Sequence, residues 1–467
     1  MMGKIQPKTL TLLGYNDNMA RSIAMATIAK HCKHDSQEQI VKTLEDVIGR
    51  PEHYLNDGVW AQLASVLMPA SAPAVAYGLR DTPLPYAIYG AEGIGELAKQ
   101  QMSTAMRLPV TVAGALMADG CDGYGLPIGG ALATTGNVVI PYAVGQDIAC
   151  RMQLTILDAE PDFLNNHHER AVRSLVEHTA FGPDGVVPSR PYLPLFDRGE
   201  FRNIPVLRKL REKAIRQLGS SGKGNHFVDI CEVVLPPANA LRLDGGRYLA
   251  ILSHSGSRGL GAAIADHFTA IAKATCRLPR QAGPFAWLSL DCEAGQQYWT
   301  CMELAGDYSA ACHDIIHENV ARALRLRPLA TISHHHNYAW RETLGAGTAV
   351  ILHRKGATPA HAGELGIIPG SMATEGYIVS GRGCAASLFS ASHGAGRTMS
   401  RLDARNSISR HALMKQLAER GVTLIGGSTE EAPLAYKDIR RVMEAQKELV
   451  NIEGTIIPKI VRMSNEL

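Results

Sequence analysis

The chain has 467 residues, of which 46% are hydrophobic and 19% charged, which supplies a large packed core and excludes disorder over most of its length. A formal net charge of +3 excludes nucleic-acid binding by bulk electrostatics, so any anionic partner must meet a local patch. Nine cysteines without a CxxC pair exclude a disulfide scaffold and a zinc ribbon, and predict reduced thiols, most of them buried.

The first segment, MMGKIQPKTLTLLGYNDN, lacks the apolar stretch of a signal peptide, and nowhere do 18 apolar residues run together. A cytoplasmic enzyme with no membrane partner is expected. Residues 1–100 are expected to form a helical appendage, with Asp35 capping a helix, Glu38 completing the capping box, and Ile40, Val41, Leu44, Val47 and Ile48 forming its apolar stripe. From about Val110 the texture changes to short β-branched runs between Gly-rich turns: VTVAGAL, NVVIPYA, MQLTIL, HFVDICEVV, YLAILS, ATIS and TAVILH. These are expected strands. Helices are expected at 205–218, opened by Pro205, then at 261–275, 294–324 and 434–450, the last with Ile439, Val442, Met443 and Leu449 on one face. The order mixes strands and helices irregularly, without a βαβ repeat, and no low-complexity linker divides the chain, so one large composite domain is expected.

Chemistry concentrates in the turns after these strands. Asp147 and Cys150 follow NVVIPYA, His226 precedes FVDICEVV, His254 ends YLAILSH and His336 follows ATIS. Carboxylate, thiolate and imidazole from separate loops can meet at one sheet edge and hold a divalent cation. His393, in SASHGAGRTMSR, is a candidate nucleophile, and Arg258, Arg397 and Arg401 are candidate phosphate readers. Each of these residues taken alone has an ordinary explanation: a hydrogen-bonded loop histidine, a small core cysteine, a turn aspartate, a surface arginine. Their company is what favours phosphate chemistry at a metal. Of the 18 histidines, His31, His34, His53, His167, His168 and His411 are expected to face solvent. Segment 198–216, with seven basic and two acidic residues, reads equally as an RNA-facing helix and as a solvated face, with Leu207, Leu210 and Ala214 inward. No GxxxxGK(S/T) or strand-linked GxGxxG is present, so a nucleotide would need another cradle; IIPGSMATEGYIVSG offers backbone N–H groups and the Ser371 hydroxyl.

In chain order, GYGLPIGG, VGQDIACRM, GNHFVD, HSGSRGLG, HN, HRKGATPA, IPGSMAT, SHGAGRTMSR and EAPLAYKDI resemble the RtcB family of RNA ligases, from about Gly114 to Val461. The resemblance implies the fold of that family, α+β with central mixed or antiparallel sheets and surrounding helices, residues 101–467 forming one composite catalytic domain. It implies joining of an RNA 3′-phosphate or 2′,3′-cyclic phosphate to a 5′-hydroxyl with GTP and Mn²⁺, as in tRNA splicing and RNA repair, with tRNA halves as substrates and an archease-like activator. It further implies that Asp147, Cys150, His226, His254 and His336 bind metal, two ions sharing Cys150, and that His393 becomes guanylylated. Asn225, Asp229, Pro369, Ser371, Ala395 and Tyr436 then correspond to nucleotide-contacting positions, and Arg258, Arg397 and Arg401 to residues near RNA phosphates.

The chain departs from the family pattern at several positions. Ala149 and Arg151 stand where the family has Gly, Cys121 where it has His, Asp229 where it has Glu, Ala373 where it has Gly and Gly376 where it has Ser; Arg462 or Met463 takes the place of a terminal lysine. These changes gather around base recognition, which makes GTP preference the weakest inherited expectation. By chemistry alone a thiolate, three imidazoles and a carboxylate suit zinc as well as manganese. A hydrolase that only opens cyclic ends and a non-catalytic RNA-end binder remain the competing readings.

Overall fold

The computed structural model describes residues 5–15, 18–32, 35–55, 57–67, 74–182, 184–187, 191, 193–345 and 347–465. The chain divides into two compact units, Met1–Val75 and Ala76–Leu467.

The first unit is helical, with helices Pro7–Leu12, Asn18–His31, Gln37–Gly49, Pro51–Tyr54 and Ala61–Leu67. Its core gathers Leu10, Tyr15, Ala24, Ile40, Leu44, Val47, Trp60 and Leu63, and the Tyr15 hydroxyl is satisfied by donating to the Leu44 carbonyl at 2.8 Å. The expected cap is displaced by one residue. Ser36, not Asp35, is the N-cap of Gln37–Gly49, and Gln39, not Glu38, closes the box, because a hydroxyl on extended backbone reaches the third helical N–H and Gln39 lies three residues on.

The second unit is built on two sheets. Their strands, in chain order, are β1 (Ala87–Ile88), β2 (Thr111–Cys121), β3 (Ile128–Thr135), β4 (Arg151–Leu157), β5 (Phe227–Leu235), β6 (Gly246–Ser255) and β7 (Pro328–His335). They continue with β8 (Asn337–Leu344), β9 (Thr348–Lys355), β10 (Leu365–Ile368), β11 (Gly376–Gly381), β12 (Thr423–Ile425) and β13 (Val450–Met463). The smaller sheet has the order β8-β9-β3-β2-β1 and the larger the order β7-β4-β6-β5-β13-β11-β10, with β12 joined to β13. Pairing is antiparallel except for β1 with β2 and β12 with β13, so both sheets are mixed. The two ends of the larger sheet curl together, the backbone N–H of Ile367 on β10 donating to His334 Nε2 on β7 at 2.9 Å.

The central strands β4, β5 and β6 read as nearly continuous apolar runs because both of their faces are buried over most of their length. In β5, Cys231 and Val233 point into the curl against Met152, Leu154, Leu252, Ile378 and Ile456. Val228 and Ile230 point outward to a layer with Leu175, Ile316, Val320 and Ile460, contributed in part by helices Phe163–His178 and Glu293–Leu324.

Three element expectations are corrected, and one helix had not been anticipated. The helix expected at 434–450 shrinks to Ile439–Glu444, and the chain then enters β13; the run from Val450 alternates β-branched residues over a sheet, and that pairing overrides the helical period. In NVVIPYA only Val138–Val139 is extended, since Pro141 at the first helical position turns the chain into Pro141–Val144. The helix expected from 261 begins at Arg258. Helix Phe163–His178 was not expected, its polar face having masked a narrow apolar stripe. Among the described residues, no helix is long and apolar enough to cross a membrane.

Candidate metal centre and nucleophile

The order β7-β4-β6-β5 explains why distant residues meet. Neighbouring antiparallel strands alternate direction, so the ends of β7 and β6 and the starts of β4 and β5 share one edge. Met152 and Phe227 both pair with His254, and Arg151 pairs with His335. His336 therefore leaves β7, Cys150 enters β4, His254 ends β6 and His226 enters β5 on that common edge. Two sets of candidate ligand atoms result, Asp147–Cys150–His226 and Cys150–His254–His336, each within 4.8 Å and sharing the cysteine.

The proton positions follow from the partners. His254 Nδ1 faces the Asn225 carbonyl at 3.0 Å and must donate to it. Its Nε2 is then a bare lone pair, 3.2 Å from Cys150 Sγ and 3.2 Å from His336 Nε2. That is the state a metal-binding imidazole needs, with a carbonyl behind the ring fixing the tautomer. Arg258 donates to His226 Nδ1 at 3.2 Å, which places the His226 proton on Nε2, 2.9 Å from Asp147 Oδ2. Burial raises the Cys150 thiol well above its ordinary value, and the Asp147 charge adds to this. Burial pushes His254 down to about 3, with His226 contributing, and it pushes His336 down in the same direction. For Asp147 burial works upward, but the interaction and hydrogen bond with His226 prevail and hold the carboxyl below its usual range. The cluster thus offers two imidazoles that burial keeps neutral, His254 and His336, together with His226, a carboxylate, and a thiol whose proton an ion would displace.

His393 follows a three-residue strand, Ser390–Ser392, and its ring centroid lies 5.1 Å from that of His336. Its Nδ1 lies 2.6 Å from Oδ2 of Asp119, which also accepts the backbone N–H of His393 at 2.9 Å. Since a carboxylate only accepts, Nδ1 carries the proton and Nε2 keeps its lone pair. Asp119 is fully buried near the end of β2, where Lys437 Nζ binds the flanking Ala118 and Gly120 carbonyls. The sequence reading passed over Asp119. Its only signal there was an Asp-Gly step just ahead of the quoted segment GYGLPIGG. Asn337 was also missed: its side chain accepts Gly356 N–H at 2.7 Å and donates to the Asp147 carbonyl at 3.3 Å, tying the metal loop to the segment beneath His393.

A cavity of about 840 Å³ opens over one face of the larger sheet, lined by His254, Asn225, Asp229, Pro369, Ser371, Ala395, Tyr436, Arg397, Arg401 and His393 together. Cys150, His226 and His336 lie beside this cavity through their contacts with His254 and His393. The three arginines differ. Arg258 turns back on His226 and Ser255. Arg397 gives its nitrogens to Met399, Glu431, Tyr436 and Glu430 and lies over the Tyr436 ring, 5.2 Å from its centroid, so it props the wall. Arg401 keeps 53% of its side chain exposed while touching Glu431 and Asn225, and of the three is best placed to meet an incoming anion. The Ser371 hydroxyl is shared with Thr374.

At the departing positions, Cys121 and Gly376 also line the cavity. A Cβ at Gly376 would sit 2.9 Å from Pro369 Cα, which leaves no room for a serine in this backbone. Of the two residues competing for the lysine position, Met463 lines the cavity, whereas Arg462 turns to Thr179 Oγ1 at 2.7 Å. Buried Arg151 donates to Ser333. Among the histidines expected to face solvent, His31, His53, His167, His168 and His411 are exposed, and His34 lies outside the described residues. Within 198–216, Leu207 and Ala214 are buried and Arg202, Arg208 and Lys213 are exposed.

Comparison with known proteins finds relatives of this chain. A family model described as tRNA-splicing ligase RtcB matches residues 101–192 and 195–463. The RNA-splicing ligase RtcB of Escherichia coli (strain K12) is 32% identical over 396 residues, covering 77% of this chain and 92% of that protein. The protein of the same name from Mycobacterium tuberculosis (strain ATCC 25618 / H37Rv) is 31% identical, covering 69% and 90%. The tRNA-splicing ligase RtcB of Thermococcus kodakarensis is 27% identical, covering 71% and 83%.

Proposed function

The chain belongs to the RtcB family, and from that premise we propose that it is an RNA ligase joining a 3′-phosphate or 2′,3′-cyclic phosphate end to a 5′-hydroxyl end through a nucleotide carried on His393. The observation that carries this reading is the pairing of His393 Nδ1 with buried Asp119, with the imidazole beside the cysteine–histidine cluster. A tautomer fixed in this way leaves Nε2 as a nucleophile, and the carboxylate offsets the positive charge the ring gains on attack.

Joining a phosphate monoester to an alcohol in water is uphill, so the phosphate must first acquire a good leaving group. His393 Nε2 attacks the α-phosphorus of a nucleoside triphosphate, GTP on the family pattern. A P–N bond forms, the α–β P–O bond breaks and pyrophosphate departs. A 2′,3′-cyclic end is first opened by water, whose oxygen bonds to phosphorus as the P–O2′ bond breaks and the 2′-oxygen takes a proton; an oxygen of the resulting RNA 3′-phosphate next takes the nucleotidyl group, breaking the P–N bond and returning the lone pair to Nε2. The 5′-hydroxyl then attacks the 3′-phosphorus, nucleoside monophosphate leaves, and the hydroxyl proton passes to solvent. Asp147, Cys150, His226, His254 and His336 would hold divalent ions, Mn²⁺ on the family pattern. The bare Nε2 of His254 beside a thiol and a second imidazole supports that fit. Such ions neutralise charge on phosphoryl oxygens. Arg401 meets the RNA end electrostatically.

The test is incubation of the full chain with Mn²⁺ and α-labelled nucleoside triphosphate, followed by acid treatment. An acid-labile protein–nucleotide adduct is expected, and it should vanish in His393→Ala. Consumption of cyclic phosphate without any adduct would replace ligation by hydrolysis.

A further inference from the structure

The cavity carries a carboxyl group with no counter-charge among the described residues. Asp229 is 4% exposed, lines the same cavity as His393, and among the described residues its Oδ1 has no hydrogen-bond partner. Among the described residues no ion pair reaches it. The cationic side chains of the cavity are engaged elsewhere: Lys437 on two backbone carbonyls, Arg397 and Arg401 chiefly on Glu431. Around Asp229 the lining is apolar, with Phe227, Leu252, Ile456, Pro458, Val461 and Met463.

The ladder register sets its reach. Phe227 lies opposite the cluster residue His254, and Asp229 lies opposite Leu252, two residues further along both strands on the same face. Two residues of strand advance about 7 Å. A nucleotide with its α-phosphate at His393 and the metal cluster can therefore lay its base over Phe227 and present an edge to Asp229.

A carboxyl group buried without a cation sheds its charge and keeps its proton. Burial pushes Asp229 well above the ordinary carboxylate range, opposed only by the backbone N–H of Arg462. The neutral group offers one donor and one acceptor, where a carboxylate offers acceptors only. Guanine presents N1–H and the N2 amine side by side, two donors that match an ionised carboxylate. Adenine presents an acceptor at N1 beside a donor at N6, which a neutral carboxyl satisfies completely. Against the same group, guanine must leave its N2 amine or its O6 unpaired among apolar side chains, and Met463 supplies no donor for O6.

We infer that the base pocket of this chain, floored by Asp229 and Met463, selects an adenine nucleotide over a guanine nucleotide. The inference rests on the proposed nucleotidyl transfer for its chemistry but concerns only how the base is chosen. Leaving one base polar group unpaired corresponds to a preference of about tenfold or more.

The experiment has two arms. Equilibrium dialysis of radiolabelled ATP and GTP against full-length His393→Ala protein with Mn²⁺ measures base choice without the covalent step, and adduct formation by the wild-type chain with each nucleotide measures it with that step. ATP is expected to bind at least about tenfold more tightly and to label faster by a similar factor. Asp229→Asn, whose amide also offers one donor and one acceptor, should keep the preference, and Asp229→Val should bring the ratio toward one. Equal or tighter binding of GTP, or loss of the preference in Asp229→Asn, overturns the inference while leaving an observed adduct, and the ligase reading, intact. Tighter ATP binding with no adduct keeps the inference and removes the ligase reading. Binding of neither nucleotide removes both.

Discussion

Asp119 and His393 are 274 residues apart, and one carboxylate oxygen gathers the His393 ring proton and its backbone N–H. Asp119→Asn keeps the shape but turns an amide toward Nδ1, freeing the proton to sit on Nε2. Adduct formation is expected to fall by about 10²–10⁴-fold, measured as the rate of label uptake. At the cluster, an ion must displace the Cys150 proton, which burial and Asp147 hold in place. Apparent Mn²⁺ affinity should therefore climb with pH, by up to about tenfold per pH unit for one proton released, and titrations at two pH values check it. Cys150→Ala should lose bound metal by elemental analysis; full occupancy would remove that residue from the centre. Asp229 adds a stability signature. Its folded value is raised, so its contribution is intact below about pH 4, where the unfolded carboxyl is also protonated, and is lost as pH rises toward the folded value. Asp229→Asn should thus melt higher than wild type at pH 7, and the gap should close as pH falls below about 4. A constant gap would mean that the carboxyl is not held neutral.

At the scale of elements, the site depends on backbone passing close behind its side chains. A Cβ at Gly256, just past β6, would overlap the Asp147 carboxylate. Gly256→Ala should lose the ion held through Asp147 while the far-ultraviolet circular dichroism stays that of the wild type. Gly356 sits at φ 61°, where a Cβ would lie 2.5 Å from Ile128 and 3.1 Å from the His393 ring, which is why the link after β9 is a glycine. The strands β4, β5, β6, β7 and β9 were legible because their apolar runs are short, β-branched and bounded by turns. Strand β13 was not: its start adjoins a real helical stripe, Ile439, Val442 and Met443, and Pro458 interrupts the run, a residue a central strand tolerates here through the register shift between Pro458 and Ile460. The cap at Ser36 was misplaced by one residue because both candidates are good N-caps and only the backbone turn decides between them.

At the scale of the whole molecule, the family match covers 101–192 and 195–463, and the helical unit Met1–Val75 stands outside it with a core of its own. A chain beginning at Ala76 is expected to keep a cooperative thermal transition and form the adduct; circular dichroism melts and labelling of the shortened chain check this, and loss of both would make the first unit part of the catalytic fold. The sequence by itself determined the inventory: a large apolar core, mixed strands and helices, and the ligand-type residues on strand-end turns, because composition and hydrophobic period are local properties. It also carried His393 as a nucleophile candidate through the company of Gly, Ser and Arg. Only the tertiary structure decided which residues face one another. Strand order brings Cys150, His226, His254 and His336 to a single edge, buries Asp119 behind His393, assigns Arg397 to Glu431, turns Arg462 away and leaves Asp229 without a cation among the described residues. Those facts depend on pairings between residues tens to hundreds of positions apart, and protonation, tautomer and charge follow from the neighbours such pairings supply.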